Sequence, residues 1–179
     1  MSFVTCQSYG QELTTKDAKK LDKSEKKKMK EEAEKAEWEK AKTLVESKRV
    51  VFQATDLFTS NGTLPLDQKT NFFYVIDNDA VLQFSFIGLQ SVPSPNGLGG
   101  ITSEATVTKY KVTANNFKKP VRVEITVKPK AGQGTGIHQL SLTIFGDGYA
   151  ELLLVNNGAR LKGSIISPED SRIFQGSSW

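Results

Sequence analysis

Histidine and cysteine are almost missing from this chain of 179 residues: His138 and Cys6 are the sole examples of each. A single cysteine cannot close an intramolecular disulfide. With one histidine beside it, no zinc site built from several Cys and His ligands can form. Any Ser-His-Asp triad would have to use His138 as its base. Long apolar runs are missing too, and no stretch approaches the ~20 apolar residues that an α-helix needs to span a bilayer. Nor is there a large excess of one charge: 24 Lys and Arg against 20 Asp and Glu leave a formal net of +4. A sign-mixed surface lacks the one-sided basic footprint of phosphate-backbone binding, so nucleic acid is not an expected partner.

What charge there is lies unevenly. Between Gln11 and Arg49, 23 of 39 residues are charged, against 21 of the 130 from Val50 to Trp179. The first segment has few large apolar side chains beyond Met29, Trp38, Leu44 and Val45, too few for a core of its own. The second is rich in Val, Ile, Leu and Phe, and a unit of that size buries roughly two-thirds of its unfolded surface. Three parts are expected: residues 1–10, a charged helical extension over 11–47, and a β domain over 48–179.

The first ten residues read as the remnant of an export signal. Ser8 and Gly10 place small residues three before and one before a cut preceding Gln11, the pattern signal peptidase requires. Phe3 and Val4 would then close the apolar region. Cys6 offers a lipoprotein route instead, but Phe3 and Thr5 fit a lipobox poorly. The expected location is periplasmic or secreted, with anchoring through Cys6 as the alternative.

From Asp22, whose spacing to Glu25 matches a capping box, to about Ser47 neither Gly nor Pro interrupts the chain. Lys27 with Glu31, Lys28 with Glu32 and Lys30 with Glu34 recur at i, i+4, which supports a long helix. Trp38, Ala41 and Val45 share one face with Leu44 at its edge, while Met29, Ala33 and Ala36 lie nearly opposite. The C-terminal half has an apolar face to dock on the β domain; the N-terminal half reads as a solvated face.

Strict alternation marks the strands. Val121, Val123, Ile125 and Val127 interleave with Arg122, Glu124, Thr126 and Lys128; Leu82, Phe84 and Phe86 with Val81, Gln83 and Ser85; Leu140, Leu142 and Ile144 with Gln139, Ser141 and Thr143. Turn residues separate the runs at Asp77-Asn78-Asp79, Asn115-Asn116, Gly146-Asp147-Gly148 and Asn156-Asn157-Gly158. Eight strands are predicted, near 48–55, 71–77, 80–87, 100–113, 120–128, 137–145, 149–155 and 159–166. The change of phase from Ala105 and Val107 to Tyr110 and Val112 predicts a bulge. Short connections imply antiparallel pairing, so the fold class is all-β, a sandwich or a barrel behind one charged helix.

Several stretches form a recognisable set: Asn71-Phe72-Phe73 with the Asp77–Asp79 turn, Pro95-Asn96-Gly97-Leu98-Gly99-Gly100-Ile101-Thr102, Gly146-Asp147-Gly148-Tyr149-Ala150, and Ser167-Pro168-Glu169-Asp170-Ser171-Arg172-Ile173-Phe174-Gln175-Gly176. Together they resemble the Bacteroidetes domain-of-unknown-function family 4251, over about Ala41 to Gly176. The resemblance implies an exported, β-rich protein and brings no activity or catalytic residue with it.

Candidate sites are few. His138 shares phase with Leu140 and Leu142 and reads as an inward packing residue. The glycine-rich run from Ser94 to Gly100 lacks the Gly-Lys-Ser/Thr ending of a phosphate loop and precedes a strand. Gly132, Gly134 and Gly136 fail as a dinucleotide fingerprint for the same reason. Asn96, Gly97, Gly99 and Gly100 are retained as a ligand-approach loop, with a purely conformational role as the simpler reading. Asp77 and Asp79 are turn formers before they are calcium ligands. Asp147, Glu151, Glu104 and Glu124 show no spacing that pairs them for glycoside hydrolysis. No catalytic residue, metal ligand or cofactor is assigned. The expected function is a non-enzymatic binding or structural module with an apolar cleft at one end of the sheets, its partner a small molecule or envelope component. The motivation is the absence of chemistry together with many inward aromatics (Phe52, Phe73, Phe84, Phe86, Tyr149). The alternative is a hydrolase using the scattered carboxylates.

Overall fold

Helix α1 runs from Thr15 to Glu46 and passes through Asp22 without interruption. The spacing of Asp22 and Glu25 therefore does not mark the helix start; both lie inside the helix, on a stretch with no Gly or Pro to interrupt it. The computed structural model describes residues 15–60, 62–85, 97, 98, 100–132, 136–156 and 158–176. The expected signal remnant, with Cys6 and Gly10, lies outside them.

The chain divides into two units, one ending at Ala33 and the other beginning at Glu34. In the first, residues 23–33 are exposed throughout, Met29 included. In the second, Trp38, Ala41 and Val45 are buried and belong to the main apolar core. Two hydrogen bonds fix this half of the helix: Trp38 Nε1–H donates to the Lys119 carbonyl at 2.9 Å, and the Tyr110 hydroxyl donates to the Val45 carbonyl at 2.8 Å. The helix ends at once after Glu46. Lys48 adopts φ 55°, and its amide bonds back to the Val45 carbonyl at 3.2 Å, so the chain turns from helix to strand within two residues.

Nine strands follow among the described residues: β1 Arg49–Thr59, β2 Gly62–Pro65, β3 Phe72–Ile76, β4 Asp79–Ser85, β5 Gly100–Thr113, β6 Val121–Pro129, β7 His138–Ile144, β8 Tyr149–Leu154 and β9 Ala159–Ile166. All pairings are antiparallel, and from β3 to β9 each strand pairs with the next. β1 pairs β3 on one edge and β9 on the other, so eight strands close into a ring. The architecture is a barrel-like closed sheet, within the sandwich-or-barrel class expected. The ninth strand, β2, had no alternation to reveal it; it continues the β3 edge of β1 by pairing with Asp56–Thr59. Residues 86 and 87, expected to end the second hairpin, lie outside the described residues.

The predicted bulge is present: the β5–β6 register shifts between Val107 and Lys109. A second shift falls between Ala54 and Asp56 of β1. Each bulge bends a long strand, which helps a small ring close. The interior is filled by side chains rather than left open. Phe52, Phe73, Phe84, Ile125, Leu140, Leu142, Ile144, Leu152 and Leu161 meet Trp38 and Val45 of the helix in one cluster. Fully burying one of these phenylalanines contributes roughly 1.5–3 kcal/mol of transfer free energy before entropy is counted.

Tyr149 is not among these inward aromatics. On β8 it is Ala150 and Leu152 that point inward, while Tyr149 lies on the outer face, stacked on Phe145 with centroids 5.1 Å apart. Phe86, also expected inside, lies outside the described residues.

Removing the chain up to and including Ala33 should leave the melting temperature of the remainder almost unchanged. Trp38→Ala should cost about 3–5 kcal/mol by the cavity it leaves. Denaturant unfolding of both variants checks this; a strongly destabilised truncation or a neutral Trp38→Ala would contradict the packing described.

Candidate functional site

The glycine-rich loop comes first, because the sequence singled it out. Asn96 and Gly99 lie outside the described residues. Gly97 has φ 71°, the left-handed region where a glycine is at ease. Gly100 is needed for a different reason. It pairs with Ser85, and a Cβ placed on it would collide with the Phe84 carbonyl oxygen of the neighbouring strand. Leu98 is tied to the same place, its carbonyl accepting from the Ser85 hydroxyl. Both described glycines thus have conformational roles.

Next to this loop lies a polar cluster that the sequence did not advertise. Gln83, on the outer face of β4, is fully buried. Its amide donates to the Thr70 carbonyl at 3.0 Å and to the Phe174 carbonyl at 2.8 Å. Its oxygen accepts from the Thr102 hydroxyl and from the Gly176 amide, each at 2.8 Å. All four hydrogen-bonding positions of the side chain are filled. Asn71 works beside it, accepting from the Ser85 amide at 2.8 Å and donating to the Asp67 carbonyl at 3.0 Å. The result is a latch that holds the C-terminal strap across the outer face. Ile173 packs there against the small cluster of Val51, Phe72 and Val81. A saturated latch of this kind positions backbone and leaves no group free for chemistry.

His138 stands at the start of β7, half-buried and paired with Val127, one step before Leu140 in the inward phase. The scattered carboxylates are not brought together. Glu124 forms an ion pair with Lys109 at 3.4 Å, Glu151 accepts from the Tyr149 hydroxyl at 2.6 Å, and Asp147 accepts from the Tyr149 amide at 3.2 Å. Glu104 lies opposite Val81 on β5. Burial, and then the hydrogen bond to Glu151, pushes the Tyr149 phenol up to about 12. Asp77 turns the β3–β4 hairpin with φ 57°, and Asp79 is paired with Lys130 at 2.8 Å, so these two act as turn and ion-pair residues. Among the described residues, no three His, Cys, Asp or Glu side chains gather as metal ligands would.

Two clefts border the strap. One, of about 470 Å³, is open and lined by Gln53, Asp67, Lys69, Asp170 and Arg172 at its foot. The other is smaller, about 280 Å³, and lies between the last turns of the helix and the barrel rim. Ala41, Leu44, Ile144 and Ile165 form its apolar wall, with Glu37, Lys40, Ser167 and Asp170 around them. All three of its charged residues are already engaged: Lys40 donates to Glu37 at 2.6 Å, and Asp170 accepts from the Ser167 hydroxyl at 2.8 Å. Sequence reasoning placed an apolar cleft at one end of the sheets but did not identify these residues. Their positions depend on where the helix meets the ring.

A closed antiparallel barrel with a helix contributing to its core is the class that this geometry defines. The family model for "Domain of unknown function (DUF4251)" matches residues 31–162, and the chain belongs to that family. Among solved structures it is similar to the crystal structure of a DUF4251 family protein from Bacteroides eggerthii. The two are 27% identical, with a TM-score of 0.59, over 81% of this chain and 97% of that one. No curated protein matches it. The described helix is not long and apolar enough to cross a membrane.

Gln83→Leu keeps the volume but strips the partners from the strap. It should destabilise the protein by about 1–3 kcal/mol and speed amide exchange at Gly176. Unchanged exchange at Gly176 in the variant would show that the latch does not hold the strap.

Proposed function

We propose that this protein is an exported, non-catalytic binding module whose ligand site is the cleft between the last turns of the helix and the barrel rim. The observation that carries the reading is the chemistry of that cleft. An apolar wall of Ala41, Leu44, Ile144 and Ile165 is edged by a few charged groups, the usual composition of a small-molecule site. Its volume of about 280 Å³ suits a small apolar group or one side chain of a peptide, not a large cofactor. The packing of side chains in the barrel interior supports the same choice. Export is supported by Ser8 and Gly10, three before and one before a signal-peptidase cut that would make Gln11 the first residue of the mature chain.

Methyl-labelled NMR against a library of small apolar fragments tests the cleft. Hits should perturb Leu44, Ile144 and Ile165 together, and Leu44→Trp, which fills the cleft, should abolish those perturbations. Hits that cluster elsewhere, or that survive Leu44→Trp, would contradict the assignment. A retained Met1 or a lipid on Cys6, seen by mass spectrometry of the native protein, would contradict cleavage before Gln11.

A further inference from the structure

The charged helix is sign-mixed as a whole but not along its length. From Lys16 to Lys30 eight lysines stand against Asp17, Asp22 and Glu25, a net of +5; from Glu31 to Glu46 six glutamates stand against three lysines, a net of −3. This polarity runs against the helix macrodipole. Cations are favourable near the C-terminus and anions near the N-terminus, yet the last turn holds no basic residue and the first half is basic. The lysines are also patterned. Lys23, Lys26, Lys27 and Lys30 follow the i, i+3, i+4, i+7 spacing of one helix face, and all four are exposed. In the sequence, Lys16, Lys19 and Lys20 precede them at the same spacing. Like charges at these intervals repel, while Lys27 and Lys30 are also spaced i, i+4 from Glu31 and Glu34. A charge order set against the macrodipole, with no gain in packing, marks a place where function sets the residues.

We propose that this lysine ridge docks on a membrane surface rich in anionic phospholipid headgroups. Clusters of four to eight basic residues on one side of a helix are drawn to such surfaces by their negative potential. Lysine suits such a surface because it is a hydrated point charge that recognises diffuse negative charge, whereas arginine's planar fork reads individual phosphates and bases. No arginine occurs before Arg49. That composition, and the absence of Phe and Tyr for base stacking between Gln11 and Arg49, separates the ridge from a nucleic-acid-binding arm. Met29 is the one large apolar side chain on residues 23–33, so the contact is peripheral, without insertion. Ridge and cleft are independent, and either assignment can fail without the other.

Co-sedimentation of the full chain with vesicles tests the ridge. Phosphatidylglycerol mixed equally with phosphatidylcholine should bind it at low salt and release it as salt rises, while pure phosphatidylcholine should not bind. The fourfold variant Lys23→Gln, Lys26→Gln, Lys27→Gln and Lys30→Gln should lower partitioning by more than about tenfold. A control with Lys69, Lys111, Lys119 and Lys128 changed to Gln should bind like the parent. Equal loss in the control, binding to neutral vesicles, or tighter binding to duplex DNA or RNA at matched phosphate concentration would each overturn the proposal.

Discussion

Everything in the barrel depends on one long-range contact, the pairing of β1 with β9. The other ring pairings join strands adjacent along the chain or, for β1 and β3, separated only by the short β2. They would form equally well in an open meander. The seam runs from Val51↔Ile166 to Phe58↔Arg160 and turns the meander into a ring with no free edge along most of its length. Close approach there has a steric condition. Gly163 sits opposite Ala54, where any Cβ would collide with the Gln53 carbonyl oxygen and press on the Phe52 ring.

Closure decides where the apolar side chains go. Once the ring shuts, its apolar faces meet inside, and Trp38, Ala41 and Val45 complete the filling. The packed interior of described side chains then stabilises the fold. The saturated hydrogen bonds of Gln83 serve the same end from outside, by holding the strap over Val51, Phe72 and Val81.

Much of this was legible in local pattern. The alternation over Val121–Val127 and the phase change between Val107 and Tyr110 correspond to β6 and to the bulge in β5, because both are set by neighbours a few residues apart. Sandwich and barrel could not be separated, since they differ in the β1–β9 pairing and not in any local run. β2 is four residues ending in Pro65, too short to alternate. Tyr149 was misplaced because Tyr149-Ala150-Glu151-Leu152-Leu153-Leu154 offers apolar residues to both faces; the interior took the small Ala150 and left the ring of Tyr149 to Phe145. Gln83 looked like an ordinary solvent-facing polar residue, and its burial comes from a strap some ninety residues further along the chain. The residues lining the small cleft were not legible, because they join helix, β7 and β9 in space alone.

The most direct test of closure is the stability of Gly163→Ala by urea unfolding. The residue is not in a left-handed conformation, so the substitution probes space at the seam rather than backbone strain. Closure around a tight β1–β9 seam predicts a loss of about 2 kcal/mol or more, the size expected of overpacking against backbone. A change of less than about 0.5 kcal/mol, the range of an ordinary surface substitution, would contradict it.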